Sequence, residues 1–185
     1  MKIKHTLILS VLVVLGIFMS GGMVPAQGSD PIAVEVGGVG TNPLTQASAV
    51  LLYAESENLV LPIFIGSAEA GAINRYLGGV RTPRPMTHDL IGNLLDVFNG
   101  RLERVTVSDF RDNTYLALLI IRVDEEIVRI DARPSDAIAV ALKQGVPIDV
   151  ERKVLEALGY LHDGDEFVPP PEPPAAEDIP PADWI

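Results

Sequence analysis

The sequence predicts an α+β fold: hairpin-rich sheet or sheets, short helices on one side, and two pseudo-repeated halves of strand–strand–helix type. Three observations predict it. Short stretches alternate apolar and polar residues and are separated by turn-forming residues. Helical periodicity with recognisable starts and stops follows two of the hairpins. The same plan then recurs 67 residues further along the chain. The regular strand–helix alternation of a doubly wound sheet is absent.

Residues 32–39 read as the opening strand of the first half. Residues 46–53 alternate into a second strand, Glu55-Ser56-Glu57-Asn58 turns it, and residues 59–65 return. Gly66 and Ser67 open a short helix over 68–77, which Gly78-Gly79 ends. A second helix spans 87–98, with Thr87 as the expected N-cap and Leu90, Ile91, Leu94, Leu95 and Phe98 on one apolar stripe. The second half begins with a strand at 102–110. Residues 114–123, a turn at Asp124-Glu125, and residues 126–132 form its hairpin. Pro134 then starts a helix that Gly145 ends, and 151–158 forms the last helix through Val154, Leu155 and Leu158. Aligned without a gap, Leu52 falls on Leu119, Ile63 on Ile130, Ala70 on Ala137, Ala72 on Ala139 and Gly78 on Gly145. Glu69 falls on Asp136. The repeat rests more on element order than on identity.

The two ends lie outside this domain. Residues 1–26 read as an export signal: Lys2 and Lys4 precede an apolar run, and Val24-Pro25-Ala26 places small residues before cleavage at Gln27. The alternative is a retained N-terminal membrane anchor, since the apolar run approaches the length of a span. Either reading puts the folded part outside the cytoplasmic membrane, periplasmic or extracellular. Residues 27–162 form the domain, and 163–185 an acidic, proline-rich tail of extended character in which Trp184 is a candidate docking anchor.

Composition removes several kinds of function. The 185 residues carry a formal net charge of −11 and a mean hydropathy of +0.28, which excludes a largely disordered chain and an overall basic clamp on nucleic acid. No cysteine is present, so disulfides, thiolate metal sites and cysteine nucleophiles are excluded. Residues 27–162 hold 12 basic and 18 acidic residues, a net of −6. Phosphate recognition therefore has to be local.

Three segments concentrate polar residues at element ends: 66–69, 84–90 (RPMTHDL) and 131–142 (DARPSDAIAVAL). Arg75, Arg81 and Arg84 lie in a stretch without an acidic residue, and arginine can grip a phosphate through two parallel N–H bonds. His88 is either an ordinary half-buried histidine or a base held against a rigid surface. Asp89 is equally a first-turn carboxylate favoured by the helix dipole. Asp131, Arg133, Ser135 and Asp136 form a corner that is unusually polar for its apolar flanks. Its charges must be paired where they are buried.

At LPIFIG with Glu69-Ala70, at RPMTHDL, and at DARPSDAIAVAL with Val146-Pro147-Ile148, the sequence resembles the bifunctional nuclease domain family over roughly residues 32–160. Val140 and Lys143 depart from the leucine and arginine common in that family. The export signal and proline tail depart further. The resemblance implies hydrolysis of RNA and DNA, a homo-oligomer, and motif positions at Glu69, Arg84, Thr87, His88, Asp89, Asp131, Arg133, Ser135 and Asp136. DNA lacks the 2′-hydroxyl, so cutting both polymers calls for activated water. One arrangement gives Asp89, Asp131 and Asp136 to a divalent ion, Mg2+ or Mn2+, with His88 as general base or acid. Arg84 and Arg133 would stabilise the transition state, and Arg81 and Ser135 would bind substrate. The rival readings are a non-catalytic binding or regulatory module of the cell envelope and a phosphoesterase acting on small nucleotides.

Overall fold

The computed structural model describes residues 30–161. The expected export signal and proline-rich tail lie outside the described residues. Eight strands form a single mixed sheet: β1 (Ile32–Thr41), β2 (Ser48–Ala54), β3 (Leu59–Ile65), β4 (Gly100–Arg111), β5 (Thr114–Val123), β6 (Glu126–Ala132), β7 (Ile148–Val150) and β8 (Tyr160–Leu161). Their order is β6-β5-β4-β7-β1-β2-β3-β8. Among the described residues four α-helices accompany them: α1 (Ser67–Leu77), α2 (Thr87–Val97), α3 (Pro134–Gln144) and α4 (Arg152–Leu158). The two expected units appear as β2–β3–α1 and β5–β6–α3, each an antiparallel hairpin followed by a helix.

Turn chemistry fixes the hairpins. Asp112 and Asn113 both adopt positive φ (48° and 59°) between the paired Arg111 and Thr114, the backbone that a two-residue hairpin turn requires. Pro62 interrupts the donor row of β3 at no cost to the ladder. β8 pairs only with Leu59 and Val60, so β3 is an edge strand at Pro62. β7 pairs with β1 antiparallel and β4 parallel, and so joins the halves. At its centre the buried carboxylate of Asp149 receives Arg104 Nη1 at 3.2 Å. β7 and β8 were not expected from the sequence, being too short to show alternation.

β1 bends at a bulge between Val36 and Gly38, which lets it pair with β7 at one end and β2 at the other. Gly37 sits beneath the Tyr53 ring, where a Cβ would overlap it. The bend contributes to a strongly coiled sheet. Tyr115 Oη on β5 donates to the Pro62 carbonyl on β3 at 3.4 Å, although five positions separate those strands. In a flat sheet that separation would be roughly 24 Å. α4 packs against both β3 and β4. Burial, then the neighbouring Tyr160, pushes the Tyr115 hydroxyl up to about 12.

α3 is the centre of the helical layer. Its face of Ala137, Ile138, Ala139, Val140 and Ala141 is buried against β4 and β5, with α1 and α2 on its flanks. Small residues allow this three-sided contact. Gly145, at φ 67°, ends the helix in the left-handed conformation. The stripe expected for α2 is only partly buried: Ile91 and Leu95 pack on the core, whereas Leu90, Leu94 and Phe98 are exposed, Phe98 by 71%, as is the neighbouring Val97.

Because Ile138 is completely buried on α3, Ile138→Ala should cost about 2–5 kcal/mol of unfolding free energy by urea titration. Arg129→Ala, on exposed β6, should stay within about 0.5 kcal/mol of the parent.

Candidate functional site

The first turns of α1, α2 and α3 converge. Met86, rather than the expected Thr87, is the N-cap of α2. Asp89, three residues on, supplies the capping oxygen, with Oδ2 accepting the Met86 N–H at 2.8 Å. This leaves Thr87 as the first helical residue and turns His88 inward, where it is 8% exposed. On α3, Pro134 sets the first turn and Asp136 projects toward α2.

His88 Nε2 lies 3.2 Å from Asp136 Oδ1. Asp136 Oδ2 accepts from Arg133 Nε at 2.7 Å, and Arg133 Nη2 reaches Glu69 Oε1 at 3.0 Å. A continuous polar chain, His88–Asp136–Arg133–Glu69, thus ties all three helix starts together. Burial opposes ionisation of Asp136, but hydrogen bonds from Arg133 and His88 outweigh it and hold its carboxyl below the ordinary value. The same hydrogen bond from Arg133 to Asp136, helped by Glu69, raises the guanidinium's pKa. Among the described residues, Tyr76 Oη is the sole buried side-chain polar atom without a hydrogen-bond partner. The second nitrogen of His88, Nδ1, has no hydrogen-bond partner among the described residues and is not one of the fully buried unpaired atoms.

Beside this chain lies a cleft of about 490 Å3, lined by Arg75 and Tyr76 of α1, Arg81 and Arg84 of the α1–α2 loop, Asp89 and Asn93 of α2, and Lys143 of α3. Tyr76 separates it from His88, the two rings meeting edge to face with centroids 6.2 Å apart. Four cations thus face one carboxylate, and Asp89 Oδ1 is already held by Lys143 Nζ at 3.1 Å. The Met86 N–H, and then Lys143 against the opposing effect of burial, hold the Asp89 carboxyl below its ordinary value.

The arginines divide in two. Arg104, Arg111, Arg122, Arg133 and Arg152 are ion-paired. Arg75, Arg81, Arg84, Arg101 and Arg129 have no ion-pair partner among the described residues, and three of those five line the cleft. Pro83 and Pro85 stiffen the loop that carries two of them, and Thr82 Oγ1 donates to the Arg84 carbonyl at 2.7 Å. Arginines kept from carboxylates on a constrained rim can bind an external oxyanion without first breaking an internal pair.

The expected site residues therefore separate. Arg81, Arg84 and Asp89 line the cleft; His88, Arg133 and Asp136 form the adjoining chain. Ser135 is buried in the first turn of α3 and lies outside the cleft lining. Asp131 is exposed on β6, opposite Leu118, and has no side-chain partner among the described residues.

The carboxylate cage expected from Asp89, Asp131 and Asp136 does not form. Asp89 and Asp136 each give both oxygens to protein donors, Asp131 stands apart, and no three metal-ligating side chains cluster among the described residues. This donor set does not fit Mg2+ or Mn2+. The cleft also contains Tyr76, Asn93 and Lys143, none of them expected as site residues from the sequence. Lys143 could have been found, because it lies two turns after Asp136 on α3.

The Bifunctional nuclease domain model matches residues 50–162, more than half of the chain and all of this site. The chain belongs to the bifunctional nuclease domain family. An uncharacterized protein of Mycobacterium tuberculosis is 43% identical over 117 residues, covering 63% of this chain and 70% of that protein. Bifunctional nuclease 1 of Oryza sativa subsp. japonica is 28% identical over 108 residues, covering 57% of this chain and 33% of its own length. Bifunctional nuclease 2 of Arabidopsis thaliana is 27% identical over 119 residues, covering 63% and 36%. The chain thus spans about a third of these plant relatives.

Since the Asp136 carboxyl is held low, its contribution to stability is present above the ordinary carboxylate value and lost as pH falls through the folded-state value. Between about pH 7 and about pH 3, Asp136→Asn should lose less of its urea midpoint than the parent does, from a lower starting value at about pH 7.

Proposed function

We propose that the protein is a nuclease that hydrolyses phosphodiester bonds of RNA and DNA by water attack, with the strand's phosphates seated in the arginine-lined cleft. The observation that carries this reading is the gathering of Arg75, Arg81 and Arg84, free of carboxylate partners, in one cleft of a domain whose net charge is −6. A polyanion gains little from the rest of such a surface, so binding concentrates where the cations are. The family membership and the names of the plant relatives support the same chemistry.

In this reading Arg81 and Arg84 hold the non-bridging oxygens and neutralise the charge that grows on them as water adds to phosphorus. His88 takes a proton from the attacking water through Nδ1, which requires the scissile phosphate to lie at the edge of the cleft beside the Tyr76 ring, beyond which His88 sits. Asp136 fixes the ring through Nε2 and stabilises the imidazolium that forms, while Arg133 and Glu69 hold Asp136 in place. The proton is returned to the departing oxygen, so no 2′-hydroxyl is consumed and DNA and RNA are treated alike.

One observation favours a second reading. The complete pairing of Asp89, Asp136 and Arg133 within the protein suits a rigid binding or regulatory module that holds nucleic acid without cutting it.

Export with removal of residues 1–26, and self-association, belong to the same proposal. The exposed Leu90, Leu94, Val97 and Phe98 give a second copy an apolar surface on α2.

Cleavage of fluorescent single-stranded RNA and DNA by the purified mature chain tests the proposal. Arg84→Ala should lower kcat/KM about tenfold or more with an unchanged melting temperature; His88→Ala should lower kcat/KM as much but also lower the melting temperature, because it strips Asp136 Oδ1 of its partner. Arg129→Ala, which removes the same charge outside the cleft, should change kcat/KM by less than about twofold. Retained binding with no cleavage by the parent protein would favour the second reading.

A further inference from the structure

We propose that Lys143 is a phosphate-binding residue of the cleft, held on Asp89 in this structure, and that the Tyr76 hydroxyl replaces it on Asp89 when a phosphate arrives. The inference rests on the reading of the cleft as a phosphodiester site. Lys143 lines the cleft with Arg75, Arg81 and Arg84, and it is the cation there that a carboxylate occupies, at 3.1 Å. Its ammonium is a compact point charge on a flexible stem, able to swing between two anions without losing a fixed bidentate geometry.

Transfer of Lys143 would ordinarily strip Asp89 of its counter-charge and cost what the phosphate gains. Two features remove that obstacle. Asp89 Oδ2 is anchored by the Met86 N–H at 2.8 Å, so the carboxylate stays in place when Lys143 leaves. Tyr76 Oη is buried and makes no hydrogen bond of ordinary geometry among the described residues, yet it lies close enough to Asp89 and Arg75 for both to act on its pKa after the larger effect of burial. A buried hydroxyl without an acceptor is costly, and phenylalanine at this position would avoid the cost. The hydroxyl acquires a purpose as the donor that takes over Asp89 Oδ1. Tyr76 is then a positioning residue, which acts on the ligand only through Lys143.

The test is calorimetric titration of the mature full chain with a phosphorothioate-linked DNA trinucleotide, beside melting temperatures measured without it. Lys143→Ala should weaken Kd about tenfold, and Lys143→Arg should stay within about threefold of the parent. Tyr76→Phe should weaken Kd about threefold while its melting temperature holds or rises. Because Tyr76 acts through Lys143, the double variant Lys143→Ala/Tyr76→Phe should bind no worse than Lys143→Ala alone.

Parent-like binding by Lys143→Ala, independent losses that multiply in the double variant, or no binding by the parent would each overturn the inference. Trinucleotide binding with this pattern but without cleavage would uphold it and sink the hydrolytic step alone.

Discussion

The arrangement of the helical layer depends on Asp136. Its two oxygens join Arg133 at the head of α3 to His88 at the head of α2, and Arg133 carries the connection on to Glu69 of α1. A half-buried carboxylate is stable only with both oxygens compensated, so the three helix starts have one relative placement that satisfies all the groups. That placement puts Tyr76 against His88 and opens the cleft between α1, α2 and the end of α3. The polar chain sets the helices' register.

Most of the fold was legible because local signals agreed with one another. The hairpin at 114–132, strand 59–65 and helix 134–144 fall at the expected residues, since alternation, turn residues, an N1 proline and a terminal glycine all mark the same boundaries. β7 was not legible. Its Ile-Asp-Val run owes its strand conformation to β1 and β4 on either side, and its central Asp149 is acceptable only because Arg104 reaches it from a distant part of the chain. For α2, periodicity predicted an apolar stripe but could not say how much of it α3 and β4 would cover. They cover Ile91 and Leu95 and leave Leu90, Leu94 and Phe98 outside.

The candidate site was legible in part for a related reason. Spacing placed Glu69, His88 and Asp136 at the beginnings of helices, and those beginnings do meet. Spacing could not determine which oxygen would meet which cation. The expectation of a carboxylate cage counted three aspartates and not their competitors: Lys143, Arg133 and the Met86 N–H claim the oxygens first. Asp131 is separated from Asp136 by the turn out of β6 and points its polarity into solvent.

An acidic domain with a cationic cleft is a particular electrostatic solution. At physiological ionic strength, charges more than about 8 Å apart are largely screened, so a strand seated in the cleft as proposed would respond mainly to Arg75, Arg81, Arg84 and Lys143 and little to the remote carboxylates. The ten arginines of the domain are therefore not ten contributions to binding. Those paired with Asp or Glu consolidate the fold, and the unpaired ones on a single rim create the local field. The acidic remainder then has a consequence of its own: a surface of net negative charge disfavours binding of a polyanion. On the proposed function, selectivity would follow from where the positive charge has been left unneutralised, and net charge is a poor guide to that placement.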